Sequence, residues 1–133
     1  MAQKNTTLPI VITLASVIFL LALVPISRAE PVTARLYQSG KTMTFIELSL
    51  APPAPATLIV EMKLPAGVDV VRTVPPFSKQ NKNSIKWLLK NIKDRSFTIQ
   101  LETRAKLDLG SSQVTIRYRN RDSGSVQEVQ AHQ

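Results

Sequence analysis

The sequence predicts an all-β protein, an antiparallel two-sheet sandwich of about seven to eight short strands behind an N-terminal hydrophobic segment. Three observations carry this prediction. Runs in which apolar and polar residues alternate with period two recur along the chain at spacings of roughly 8 to 14 residues. Glycine, proline and small polar residues punctuate the boundaries between them. There is no cysteine in the 133 residues, so a single small core must hold the fold by burial and strand pairing alone.

Residues 1–29 stand apart. Lys4 and the terminal amine make a positive start, no acidic residue precedes Glu30, and Leu8 to Ile26 form an apolar run. Pro25 breaks that run, and Ser27-Arg28-Ala29 puts small residues, Ser27 and Ala29, where a signal peptidase reads them. A signal peptide cleaved after Ala29 is expected, with export to the periplasm or the extracellular cell surface. The alternative is an uncleaved anchor, since the run is at the short edge of the roughly 17 to 25 residues that span a bilayer. Membrane contact would then come only through residues 8–26. Taking the first 29 of 133 residues away leaves 104, one small domain expected over residues 30–129 with 130–133 as a mobile C-terminal tail. The seventeen basic residues less Lys4 and Arg28, against nine acidic ones, give this part a charge of +6. Such a balance favours polyanionic neighbours.

Within the exported part, Val32, Ala34 and Leu36 alternate with Thr33, Arg35 and Tyr37, a half-buried strand ended by Ser39-Gly40. Thr42 to Leu50 is also strand-like, but its apolar residues change parity, from Met43 and Phe45 to Ile46, Leu48 and Leu50. A bulge near Phe45–Ile46 would reconcile both sets with one core. Ala51-Pro-Pro-Ala-Pro-Ala56 lacks the donors for a ladder and reads as a stiff connection. Leu58, Val60, Met62 and Leu64 then share one side of a strand closed by Pro65-Ala66-Gly67, and Val68 to Val74 is a β-branched run closed by Pro75-Pro76. Ser78 to Ser84 is polar enough to be a surface loop.

Residues 84–92 carry two periods at once. Ile85, Leu88, Leu89 and Ile92 fall at helical spacing with Ser84 placed to cap, while Ile85, Trp87 and Leu89 alternate as a strand. A nine-residue helix is marginal alone and both flanks are β in pattern, so strand is favoured. Phe97, Ile99 and Leu101 alternate cleanly after the turn at Lys93-Asp94-Arg95. Val114, Ile116 and Tyr118 follow, then a turn at Asp122-Ser123-Gly124 and a returning strand over Val126 to Val129.

The stretch Leu64-Pro-Ala-Gly-Val-Asp-Val-Val71, the Pro75-Pro76 loop, Trp87-Leu-Leu89, the turn at Asn91 to Asp94 and the alternating Ser96 to Arg104 occur in a telling order. With Ser39-Gly-Lys-Thr-Met-Thr-Phe45 before them, they resemble the Domain of Unknown Function 11 family, the Ig-like repeat of bacterial and archaeal envelope proteins, over residues 40–121. An Asn-x-Gly after the opening strand is replaced here by Ala51-Pro-Pro-Ala-Pro, and the turn before Ser96 lacks Pro-Gly. The resemblance implies an Ig-like sandwich in a structural or adhesive envelope setting. It carries no catalytic residues.

Chemistry is sparse. The single histidine, His132, lies in the expected tail, so a nucleophile has no evident base. Glu61, Glu102 and Glu128 alternate with apolar neighbours and belong on solvent faces rather than in a carboxylate pair. One imidazole and no thiolate make no metal site, and no glycine loop cradles phosphate. The expectation is therefore a non-enzymatic protein without cofactors. Trp87 is expected in the core rather than as a sugar platform. One uneven feature remains, a basic run whose members Lys79, Lys82, Lys86, Lys90, Lys93 and Arg95 are candidates for binding anionic polysaccharide, lipopolysaccharide or nucleic acid. Arg117, Arg119 and Arg121 form a second cluster on one strand face. The leading expectation is a structural or interaction module that docks on another envelope protein or surface assembly. The edges at residues 31–38 and 126–129 are available to extend a partner's sheet.

Overall fold

The structure, a computed structural model, describes residues 30–133; the expected signal peptide or anchor, with Ser27 and Ala29, lies outside the described residues. Among the described residues nine strands form: β1 (Val32–Ser39), β2 (Met43–Leu50), β3 (Thr57–Lys63), β4 (Val70–Val74), β5 (Lys79–Asn81), β6 (Ser84–Lys90), β7 (Ser96–Thr103), β8 (Gln113–Arg119) and β9 (Val126–Gln130). They make a four-stranded sheet in the order β1-β2-β7-β4 and a five-stranded sheet in the order β5-β6-β3-β8-β9. Every ladder is antiparallel. The two sheets pack as an Ig-like β-sandwich.

Alternation decides which side of each strand faces the core. Val32, Ala34 and Leu36 of β1, Leu58, Val60 and Met62 of β3, Ile85, Trp87 and Leu89 of β6, and Val114, Ile116 and Tyr118 of β8 are all buried. Residues 84–90 are thus strand, and the helical reading fails on Leu88, which a helix would bury and which is 42% exposed. Trp87 is fully buried and its indole Nε1 donates to the carbonyl of Pro75 at 3.2 Å. A buried Trp without such a partner would carry an unsatisfied N–H.

Three sequence expectations change. First, β2 has no bulge, since its register against β1 and β7 is continuous. Thr44 takes the inward position, and Met43 and Phe45 lie on the outer face, where the Phe45 ring stacks on Tyr37 at 5.3 Å between centroids. The irregularity sits instead in β4, between Val70 and Arg72. Second, the polar stretch 78–84 is not a plain loop. Lys79–Asn81 pairs with Ser84–Lys86 through a two-residue turn at Lys82-Asn83, which adds the ninth strand.

Third, the chain after β9 is tied down. The Leu36 amide donates to the His132 carbonyl at 2.7 Å, the His132 amide donates to the Ala34 carbonyl at 2.9 Å, and Arg35 and His132 form a parallel bridge. The last residues therefore leave the five-stranded sheet and close the free edge of β1 in the other, stitching one flank of the sandwich. On the opposite flank, β4 at the edge of one sheet continues through Pro75–Ser78 into β5 at the edge of the other.

Candidate functional site

The outer face of the five-stranded sheet gathers most of the charge that the sequence analysis singled out. Lys79 of β5 stands opposite Lys86 of β6, which stands opposite Glu61 of β3, then Thr115 of β8 and Gln130 of β9. Neighbouring strands are about 4.8 Å apart, so Lys79 and Lys86 repel directly. Glu61 offsets this, with Oε2 3.5 Å from Lys86 Nζ. Two residues along, Leu88, Ile59, Arg117 and Glu128 form the next row. The Arg117 guanidinium donates to Glu128 at 2.9 Å, and this hydrogen bond, with the carboxylate's charge, raises the arginine's pKa above its ordinary value. Lys90 follows Leu88 along β6, and Arg119 follows Arg117 along β8.

The expected six-residue patch is thus divided. Lys79, Lys86 and Lys90 lie on the face, whereas Lys82 is in the β5–β6 turn at one end and Lys93 and Arg95 are in the β6–β7 turn at the other. Of the second cluster, Arg117 and Arg119 join the same face because only β3 separates β6 from β8, while Arg121 lies beyond β8 in the turn to β9. Lys63, which sequence reasoning passed over, adds to the face opposite Ser84 and Gln113. Among the described residues, the ion pairs engage Lys86, Arg117, Arg72 with Glu102 at 3.6 Å, and Arg104 with Asp69 at 4.0 Å. Among the described residues, Lys63, Lys79, Lys90 and Arg119 have no carboxylate partner within 4.0 Å.

Two exposed apolar side chains lie beside this charge. Phe77, 40% exposed, and Leu88, 42% exposed, lie where the crossover from β4 meets β6, whereas Val71 and Val74 are exposed on β4 of the other sheet. Ser78 fastens that crossover to β6: its amide donates to the Lys86 carbonyl at 2.8 Å and its Oγ accepts from the Leu88 amide at 2.9 Å. The fifth large exposed apolar side chain, Val126, starts β9 near the other flank. Of the two edges expected to accept a partner strand, residues 31–38 are closed at Ala34 and Leu36 by His132, and β9 pairs with β8 alone.

The other surfaces are less concentrated. On the outer face of the four-stranded sheet, Arg35 lies over the Tyr37 ring with Cζ 5.4 Å from its centroid, next to the Phe45 stack. At the end of the sandwich where β1 begins, an open cleft of about 620 Å³ is lined by Glu30, Pro31, Pro53, Tyr118 and Asp122 among others. Burial, and then the Glu30 carboxylate, raise the Tyr118 pKa above the usual phenol value. Among the described residues, no three His, Asp or Glu side chains converge as metal ligands. No protein-family model matches the chain, and no curated protein matches it.

Proposed function

We propose that this chain is a non-enzymatic exported protein of the cell envelope or extracellular surface, a structural or adhesive β-sandwich module that docks on another envelope protein. The supporting observation is that two large apolar side chains, Phe77 and Leu88, stand exposed where the Pro75–Ser78 crossover is hydrogen-bonded to β6. Grouped exposure of this kind marks contact surfaces more often than solvent faces. Export rests on the N-terminal segment and its Ser27-x-Ala29 boundary. Mass spectrometry of the purified protein tests that part: a chain starting at Glu30 is a cleaved, exported domain, and one retaining Met1 or Ala2 is anchored. Cross-linking of the full chain in intact cells, followed by mass spectrometry, tests the docking. A recurrent envelope protein among the adducts is expected, and recovery of the uncross-linked monomer alone would overturn the reading.

A second reading is binding of polyanions, supported by the convergence of Lys63, Lys79, Lys86, Lys90, Arg117 and Arg119 on one face. Contacts to a polyanion are strongly salt-dependent, because each neutralised charge releases counterions. Retention on heparin or lipopolysaccharide resin that survives moderate salt supports this reading. Elution at low salt counts against it.

A further inference from the structure

Two exposed apolar residues, Phe77 and Leu88, share a strip with Lys79 and Lys90, which have no carboxylate partner among the described residues, and with Lys86, which is paired with Glu61. Along β6, Lys86, Leu88 and Lys90 face outward in a cation–apolar–cation series. Successive members are two residues apart, about 6.6 Å in a strand. Lys79 stands beside Lys86, and Phe77 precedes the serine that is bonded to Leu88. Any extended polypeptide presents its own same-side residues at that same interval, because strand geometry is common to both.

We infer that the outer strip formed by β5, β6 and the Pro75–Ser78 crossover is a docking surface for an extended protein segment patterned acid-x-apolar-x-acid. The inference rests on the proposed interaction role and names the partner's chemistry. In register, one acidic residue meets Lys90, the other meets Lys79 at the edge away from the Lys86–Glu61 pair, and the apolar residue between them covers Leu88 and Phe77.

Three alternative occupants fit the surface less well. A polyanion would satisfy the lysines but leave Leu88 and Phe77 in water, and it would meet the carboxylates of Glu61 and Glu128 in the middle of the same face. A second copy of this chain would bring cations against cations, with +6 on each domain after removal of the first 29 residues. Strand addition at the β4 edge is hindered by the irregularity between Val70 and Arg72 and by the two prolines after Val74, which are devices that blunt edges. Side-chain recognition across the strip does not need that edge.

The test uses the full chain and four probes: a fluorescent peptide repeating Glu-Thr-Leu-Thr-Glu, poly-glutamate of matched length, heparin, and vesicles containing phosphatidylglycerol. The patterned peptide is expected to bind most tightly and to keep part of its affinity when salt rises, because apolar burial is not screened. Leu88→Ser with Phe77→Ser should weaken it about tenfold or more. Lys79→Glu with Lys90→Glu should weaken it similarly at low salt. Both pairs of side chains are exposed, and the emission of the buried Trp87 reports whether each variant is folded. Equal binding of poly-glutamate, heparin or vesicles, no binding of the patterned peptide, or unchanged affinity in the serine variant would each overturn the inference. If the in-cell adduct persists undiminished in the Phe77→Ser, Leu88→Ser protein, the interaction role stands and this surface assignment falls. If no adduct forms with the unaltered chain, the interaction role itself falls.

Discussion

Thr44→Val should make the protein more stable, against the usual direction of a core substitution. Thr44 is completely buried on the inner side of β2, and its Oγ1 has no hydrogen-bond partner. An unpaired buried hydroxyl costs about 1–3 kcal/mol in lost hydration. Valine has the same shape, replaces the hydroxyl by a methyl worth about 0.8 kcal/mol when buried, and suits a strand. The expected gain is about 1 kcal/mol or more, which for a domain of about 100 residues raises Tm by at least about 4 °C. Thr103→Val is the control. Thr103 is equally buried, 1% exposed, but its Oγ1 donates to the Ala105 carbonyl at 2.7 Å. The same change there removes a real bond and should lower Tm by a similar amount. Differential scanning calorimetry and guanidinium unfolding of both variants give the comparison. Parallel destabilisation of Thr44→Val and Thr103→Val would refute the reasoning, because it would mean that the Thr44 hydroxyl is satisfied.

Three further outcomes follow from the fold. Trp87, the only tryptophan and fully buried, should emit at short wavelength and resist acrylamide quenching; Trp87→Phe, which removes the indole donor to the Pro75 carbonyl but leaves the Thr73 hydroxyl donating to it at 2.9 Å, should cost about 1–3 kcal/mol through that lost bond and lost packing, measured by guanidinium unfolding. Gly124 holds the β8–β9 turn at φ 69°, so Gly124→Ala should cost about 1–2 kcal/mol through left-handed strain, measured in the same unfolding experiment. Tyr118 has a folded-state pKa raised by burial and by Glu30, so its neutral form is favoured in the fold. Its contribution is complete below the unfolded phenol pKa of about 10 and is lost as pH rises through the higher folded value. Unfolding midpoints taken across that alkaline range should fall less steeply in Tyr118→Phe than in the unaltered protein; identical slopes would refute this.

Where inward residues are apolar and outward ones polar, as at Val32-Thr33-Ala34-Arg35-Leu36, alternation alone identifies both strand and core face. At β2 that premise fails twice, because Thr44 is polar inside while Met43 and Phe45 are apolar outside. A bulge was the reading that restored the rule, but the molecule breaks the rule instead, covering Phe45 with Tyr37. The strand β5 was invisible because all three of its residues are exposed and polar, and polarity carries no period. The basic face was illegible for another reason: sheet order is a property of long-range pairing, and nothing local in Lys86 or Arg117 says that β3 alone lies between their strands. Leu88 joins the two problems. Counted as core, it makes residues 84–92 a helix, and the flank has no centre. Placed outward by strand geometry, with Ile85, Trp87 and Leu89 taking the interior, it is the apolar member set between Lys86 and Lys90. The outward direction of Leu88 therefore settles the secondary structure of this segment and supplies the apolar member on which the proposed docking surface is argued.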